Sequence, residues 1–228
     1  MKLFALFGAL CFLCASQALA LSPGEDLINR SIEVLYELSR SLDRRVLLPL
    51  FENAQSIAIF PGVKRAGFFV GIARGEGVVF ARGEDRKTFF GPAFYTLQGV
   101  NLGIQVGIQS QDIILFIMRR AALEALSRGY VVLGGNLSVT LGPAGRGVSV
   151  ALDPELSSPC YAYALSRGAF LGVALEGTKL SENPELNEKF WGREVKAATI
   201  LSQFLPPDFA SRNLERFLRD LAEGGENS

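Results

Sequence analysis

The ionisable and nucleophilic side chains of this sequence limit the chemistry it can perform. The 228 residues include no histidine, so a Ser-His-Asp or Cys-His arrangement and histidine-ligated zinc or haem are excluded. Asp112, just before an apolar run, and Glu176, at the end of a glycine-rich segment, are the carboxylates that suit a catalytic pair. Because such carboxylates more often bind turn amides or pair with an arginine, we favour a structural role for both. We therefore predict no enzymatic activity, no cofactor and no metal site.

The sequence also comes within one residue of a nucleophile elbow at residues 147–151, where Ser149 lies between Gly147 and Ala151. This segment stands between a turn and alternating sequence rather than at a strand-to-helix corner, so we do not interpret it as catalytic. A hydrolase that uses a carboxylate pair, or a serine with a lysine, stays open as the weaker alternative.

Basic residues occur in pairs beside predicted turns. Lys64-Arg65 follows a Pro-Gly turn, and Arg86-Lys87 occupies the polar gap between two predicted strands. Such pairs either attract anionic groups or keep the surface soluble. If they attract a membrane, Phe68 or Phe89 could wedge into it beside them. The formal net charge of the chain is zero, which argues against nucleic acid as a partner because phosphate binding needs clustered positive charge.

The stretch GVNLGIQVGIQ, residues 99–109, spaces Gly99, Gly103 and Gly107 four apart. This spacing occurs where apolar helices pack closely in membranes, but it also places the glycines on one face of a strand. A helix would distribute three carboxamides around an apolar cylinder, which is costly in lipid, so we predict a strand. Because glycine weakens a strand unless a neighbour uses the space, we expect a helix or a ligand to cover this face.

Helix signals and period-two alternation together predict an α+β fold. Ser22-Pro23-Gly24-Glu25 predicts a helix start with a capping box, and Asn183-Pro184 predicts another helix start. Alternation from residue 67 predicts strands, with Arg74-Gly75-Glu76-Gly77 as a hairpin turn, and Ile113 to Met118 predicts a strand buried on both faces. We expect a curved antiparallel, glycine-rich sheet or small barrel packed with N-terminal and C-terminal helices, the last over residues 208–222.

The opening MKLFALFGALCFLCASQALA has the parts of a secretory signal peptide. Lys2 precedes an apolar run from Leu3 to Leu13, and Ala18-Leu19-Ala20 is a small-residue cleavage pattern. The run is shorter than the ~20 residues of a membrane-spanning helix. We therefore expect cleavage after Ala20, a single domain over residues 21–228, and export to the periplasm, the cell envelope or the medium.

Removal of the signal peptide would change the cysteine content. Cys11 and Cys14 would leave with it, so Cys160 would have no partner for an intramolecular disulfide. Neither early cysteine follows a small residue, which argues against lipidation. We expect packing, and not disulfides, to hold the fold together.

Five segments occur in a fixed order along the chain: AQSIAIFPGVKRAGFFVG, GPAFYTLQGVNLGIQVGIQSQDIILFIM, LGGNLSVTLGPAGRG, YALSRGAFLGVALEG and NEKFWG. Together they resemble the SYLF domain, a lipid-binding family, over about residues 25–203. The resemblance implies a non-enzymatic module that binds phospholipids, notably phosphoinositides in eukaryotic members, which also have links to actin. In the family, membrane contact is attributed to basic residues and an amphipathic helical surface near the start of the domain. The corresponding region here contains Arg44, Arg45, Lys64 and Arg65.

On this basis we predict a phospholipid-binding protein that acts at a membrane surface of the cell envelope, or that holds lipid in a groove on the glycine-rich face. An envelope structural or assembly protein without a lipid ligand is the main alternative. The predicted lipid-binding residues are Lys64, Arg65, Phe68, Arg86 and Lys87, and the predicted structural glycine face is Gly99, Gly103 and Gly107.

Overall fold

The computed structural model describes residues 21–67, 70–102, 107–142, 156–166, 169–170, 175–203 and 209–222. Phe68, Gly103, the near-elbow at residues 147–151 and the predicted signal peptide lie outside the described residues. Within them, the helices are α1 (Pro23–Ser41), α2 (Arg44–Asn53), α3 (Arg120–Ser127), α4 (Pro184–Trp191), α5 (Ala197–Ile200) and α6 (Phe209–Ala222). The strands are β1 (Ser56–Gly67), β2 (Val70–Arg82), β3 (Phe89–Leu102), β4 (Gly107–Ile117), β5 (Tyr130–Val132), β6 (Thr140–Leu141), β7 (Cys160–Ser166), β8 (Ala169–Phe170) and β9 (Lys179–Glu182).

The strands form one strongly curled sheet, a half-barrel, with helices at both ends of the described chain, which confirms the predicted α+β class. Their order is β5-β9-β3-β2-β1-β4-β7-β6, and β8 pairs with β7. The long strands β1 to β4 pair antiparallel, as predicted, whereas β6 pairs parallel with β7, so the sheet is mixed.

Each face of this sheet carries its own apolar core. The α1 face, named for the helix that covers it together with α2 and α6, buries Ile57, Ile59 and Phe116. The α3 face, covered by α3 and α5, buries many small side chains, among them Ala58 and Ala162. Residues 113–117 of β4 are fully buried because alternate side chains enter the two cores, which confirms the strand predicted to be buried on both faces.

The helix starts follow from local capping. The Ser22 hydroxyl accepts a hydrogen bond from the Glu25 amide at 3.3 Å, and the Ser22 amide donates to Glu25 Oε2 at 2.7 Å. This is the predicted capping box, and Pro23 occupies the first helical turn. At α4, Asn183 Oδ1 accepts from the Leu186 amide at 3.1 Å, again as predicted. Helix α6 buries Leu214 and Leu218 against the α1 face.

The predicted hairpin turn at residues 74–77 is wrong, because β2 runs through these residues without interruption. The glycines serve a close approach between strands instead of a turn. A Cβ added at Gly77 would lie 2.3 Å from the Ile59 carbonyl oxygen, and one at Gly75 would lie 2.8 Å from Val63 Cγ2. Only glycine leaves room for β1 at these two positions.

The predicted Pro61-Gly62 turn is instead an irregularity inside β1. The register of β1 shifts on both sides of it, and Gly62 has a φ of 63°, which glycine adopts without strain. The Gly62 amide donates to Asp112 Oδ1 at 2.7 Å. This bond fastens the bulge of β1 to the neighbouring strand β4.

Candidate functional site

The sheet has two ends along the direction of β1 and β2, and they differ in surroundings. The hairpin end lies at the β2–β3 turn, where Ser56 pairs with Ala81. The opposite end, called the tip here, lies at residues 64–67 of β1, where Lys64 pairs with Arg74. The two ends are about 26 Å apart, since residues 74 to 82 of β2 rise about 3.3 Å each.

At the tip, the side of the sheet that continues the α1 face is exposed. Alternation places Arg74 and Ile72 on the same face as the buried Val78, but both are exposed. The exposed residues of this region are called the tip face: Lys64, Ala66, Ile72, Arg74, Val100 and their polar neighbours Glu76, Gln98 and Ser110.

Two cations lie side by side on the tip face. Lys64 is directly opposite Arg74 in the register, and Ser110 and Gln98 continue this row on β4 and β3. Like charges in directly opposed positions repel. Among the described residues, no ion pair joins either cation to a carboxylate, and Glu76 is the exposed acid one row away from Arg74. The pair therefore creates a local positive potential that suits an anionic group.

The neighbouring row of the tip face is apolar. Ile72 pairs with Val100 on β3 and with Ala66 on β1, so these side chains occupy adjacent positions across three strands. Ile72 is 64% exposed and Val100 is 60% exposed. In the register, Val70 and Leu102 form the next pair toward the end of the strands.

The side of the tip that continues the α3 face is polar and closely packed. Arg65 is half-buried there, and its burial holds the pKa of the guanidinium below its ordinary value. Gln111 is buried on the same face. At Gly99 the approaching group is Thr178, since an added Cβ would lie 2.6 Å from the threonine hydroxyl. Gly107 pairs with Gly67 at the very end of the strands.

The second predicted basic pair lies at the hairpin end, so the structure does not bring Arg86-Lys87 together with Lys64-Arg65. The Arg86 guanidinium donates to the carbonyl of Glu52, at the end of α2, where unpaired carbonyls favour cations. Lys87 is exposed, and its amide donates to Asp85 Oδ1 at 3.0 Å. Hydrogen bonds from the Thr88 side chain and from the amides of Thr88 and Lys87 hold the pKa of Asp85 at about 2.

Phe89 was expected to project beside this pair, and it does not. Its side chain is buried, and the guanidinium carbon of Arg82 lies 4.7 Å from the centre of its ring. Arg82 is itself buried and donates to the carbonyls of Phe51 and Ala54. Burial lowers the pKa of Arg82, and the hydrogen bonds to the end of α2 are the compensation for placing this cation inside the protein. Sequence reasoning did not anticipate this structural role.

The carboxylates considered for catalysis lie apart in the sheet. Asp112, in β4, accepts a hydrogen bond from the Gly62 amide of β1, and Glu176 is exposed in the turn before β9. Strands β1, β2 and β3 lie between β4 and β9. Cys160 is buried, which raises the pKa of its thiol to about 12. Across the described ranges, no group of three or more acidic or cysteine side chains is placed to hold a metal ion.

Arg74, Ile72 and Val100 did not emerge as site residues from the sequence. Arg74 was assigned to a hairpin turn as part of the segment Arg74-Gly75-Glu76-Gly77, in which two glycines flank Glu76. The signal that could have found it is the continuous alternation of Val70, Ile72, Arg74, Glu76 and Val78 with glycine and alanine.

Comparison with known proteins places the chain in a family. The family model Ysc84, described as Las17-binding protein actin regulator, matches residues 98–221, which is more than half of the chain. The chain belongs to the Ysc84 family. This confirms the resemblance to SYLF proteins on which the functional prediction depends.

Its relatives include human SH3 domain-containing YSC84-like protein 1, which is 33% identical over 186 residues. The match covers 81% of this chain and 54% of the human protein. LAS seventeen-binding protein 3 of Saccharomyces cerevisiae is 34% identical over 176 residues, which are 76% of this chain and 38% of the yeast protein. The chain thus spans about half the length, or less, of these relatives. Of the helices in the described ranges, none combines the length and the apolar character needed to cross a membrane.

Proposed function

We propose that this chain is a non-enzymatic phospholipid-binding protein that acts at an anionic membrane surface of the cell envelope. The observation that carries the proposal is the pair Lys64 and Arg74, two exposed cations in directly opposed strand positions. The family supports the non-enzymatic part of the proposal, because its members are described as binding proteins and actin regulators and not as enzymes. An anionic surface would relieve the repulsion between the two cations.

The proposal concentrates the contact at the tip. Of the predicted binding residues, Lys64 belongs to the tip face, whereas Arg65 next to it is half-buried on the opposite face. Lys87 at the hairpin end stays a second candidate because it is exposed, while Arg86 is engaged with α2. A basic residue near an anionic membrane contributes about 1 kcal/mol, so two of them account for about a thirtyfold change in affinity.

The test is cosedimentation with vesicles of phosphatidylglycerol and phosphatidylcholine, and with phosphatidylcholine alone, at two salt concentrations. We expect Lys64→Gln with Arg74→Gln to weaken binding to the anionic vesicles by about thirtyfold at low salt, with much less loss at high salt. Arg193→Gln with Lys196→Gln is the matched control, because it removes the same charges from an exposed loop near α4.

Two results would contradict the proposal. Failure of the wild-type protein to bind anionic vesicles would reject phospholipid binding, and equal binding to both kinds of vesicle would reject charge as its basis. If Lys87→Gln weakened binding and the tip variant did not, the contact would be at the hairpin end.

A further inference from the structure

We infer that the tip enters the membrane: Ile72 and Val100 insert into the apolar layer while Lys64 and Arg74 stay among the headgroups. The inference rests on the proposed function and specifies how the same face meets its partner. It starts from the exposure of Ile72 and Val100, which are paired neighbours on β2 and β3.

Exposed apolar pairs are not a general property of this face. Farther along the same two strands, Val78 pairs with Phe94, and both side chains are buried under the helices. Two polar pairs, Glu76 with Thr96 and Arg74 with Gln98, follow along the strands, and the next pair, Ile72 with Val100, is apolar and exposed to solvent. Adjacent exposed apolar side chains of this kind mark surfaces that bind a partner.

The charges beside the apolar row identify the partner. Ile72 and Arg74 are two residues apart in β2, and Ala66 and Lys64 are two apart in β1, so the basic row lies about 7 Å behind the apolar row. Apolar groups of proteins at a membrane interface are buried about 5–10 Å into the boundary between headgroups and acyl chains. With the apolar row at that depth, the two cations reach the level of the phosphates.

A second copy of the chain fits this face less well. A two-fold contact centred on Ile72 and Val100, with its axis along the strands, would bring the Lys64–Arg74 pairs of both copies close together. Glu76 is the acid in the next row, on the far side of Arg74 from the apolar row. A lipid surface that is apolar below and anionic above complements both rows without this repulsion.

The first experiment removes the apolar character and keeps the strand shape. Ile72→Thr with Val100→Thr retains β-branched side chains at exposed positions, so the fold is expected to tolerate it. We expect affinity for anionic vesicles to fall about tenfold or more, with the residual binding more sensitive to salt than that of the wild type. The matched control is Leu141→Thr, which removes an exposed apolar side chain from strand β6.

The second experiment reports depth directly. An environment-sensitive fluorophore is attached at Ile72→Cys, at Val100→Cys and, as a control, at Lys196→Cys, with Cys11 and Cys14 replaced by serine, while the native Cys160 is buried. We expect a blue shift and quenching by brominated phosphatidylcholine, mixed with phosphatidylglycerol, at the two tip positions and not at residue 196.

The outcomes separate this inference from the proposed function. Wild-type binding to anionic vesicles, with no shift at the tip and no loss in the double threonine variant, would overturn insertion and leave surface binding intact. Absence of vesicle binding by the wild type would remove both. A concentration-dependent dimer that the double threonine variant abolishes would overturn insertion by identifying a second copy as the partner.

Discussion

Thr178 and Gly99 meet on the α3 face with no space between them. An added Cβ at residue 99 would lie 2.6 Å from the Thr178 hydroxyl, and Thr178 is 1% exposed, so the threonine cannot swing into solvent. We predict that Gly99→Ala lowers the free energy of unfolding by about 1–3 kcal/mol, the usual cost of overpacking a core. Urea denaturation measures this change.

A double-mutant cycle provides the control for this prediction. Thr178→Ala removes the hydroxyl and leaves a Cβ at 3.3 Å from the added carbon, so it should relieve part of the clash. The cost of Gly99→Ala should therefore be smaller in the Thr178→Ala background. Additivity of the two substitutions within about 0.5 kcal/mol would contradict the close-approach explanation.

The pair Lys64-Arg65 shows that residues adjacent in the sequence of a strand do not form one site. Both are basic and adjacent, so they were grouped as one site, but successive residues of a strand point to opposite faces. Lys64 is exposed on the tip face, while Arg65 is half-buried on the other side. The basic residue beside Lys64 is instead Arg74, which is ten residues away in sequence and directly opposite Lys64 in the sheet.

Helix α1 depends on the capping box at its first turn. Ser22 and Glu25 satisfy two amides that would otherwise lack partners, and α1 buries Leu27 and Leu35 in the core of the α1 face. We predict that Ser22→Ala lowers the free energy of unfolding by about 1 kcal/mol, measured by chemical denaturation.

The control for the capping box is another serine of the same helix. Ser39 is in the last turn of the helix, far from its start, and its hydroxyl donates to the Tyr36 carbonyl. Because alanine is the better helix former, Ser39→Ala should leave stability unchanged or raise it. Equal losses at residues 22 and 39 would show that the cap contributes nothing specific.

Elements set by local contacts could be predicted from the sequence, and elements set by distant contacts could not. The starts of α1 and α4 were predictable because the capping side chains lie within three residues of the amides they bind. The path of β2 through residues 74–77 was not, because its glycines are required by β1, whose irregular register is absent from any local pattern. The α+β class was predictable because it follows from the order of helical and alternating segments.

At the scale of the whole molecule, one end of the sheet is attached to a helix and the other end is exposed. The hairpin end is fastened to α2 by Arg82 and Arg86, which donate to carbonyls at the end of that helix. The tip has exposed cations and apolar side chains together, which is the arrangement that the proposed membrane contact requires. In this orientation the strands would point at the membrane and the helices would lie away from it. The tip face was not predictable as a whole because its residues come from four strands.

The number of thiols per chain reports whether the predicted cleavage has occurred. Cleavage after Ala20 would remove Cys11 and Cys14, and it would leave Leu21 in front of Ser22, so the Ser22 amide could still donate in the capping box. The remaining Cys160 is buried, and its raised pKa of about 12 leaves little reactive thiolate at neutral pH. We predict that the protein, once cleaved after Ala20, shows no reactive thiol when folded and one per chain when denatured.

A thiol reagent applied with and without guanidinium, together with the intact mass, checks this prediction. Denatured protein with three reactive thiols, and a mass that includes residues 1–20, would show that the segment is retained and would remove the basis for export. One thiol in denaturant combined with an added acyl mass would instead contradict the predicted absence of lipidation. One thiol with the mass of residues 21–228 is the expected result, and it would mean that packing holds the half-barrel together without a disulfide.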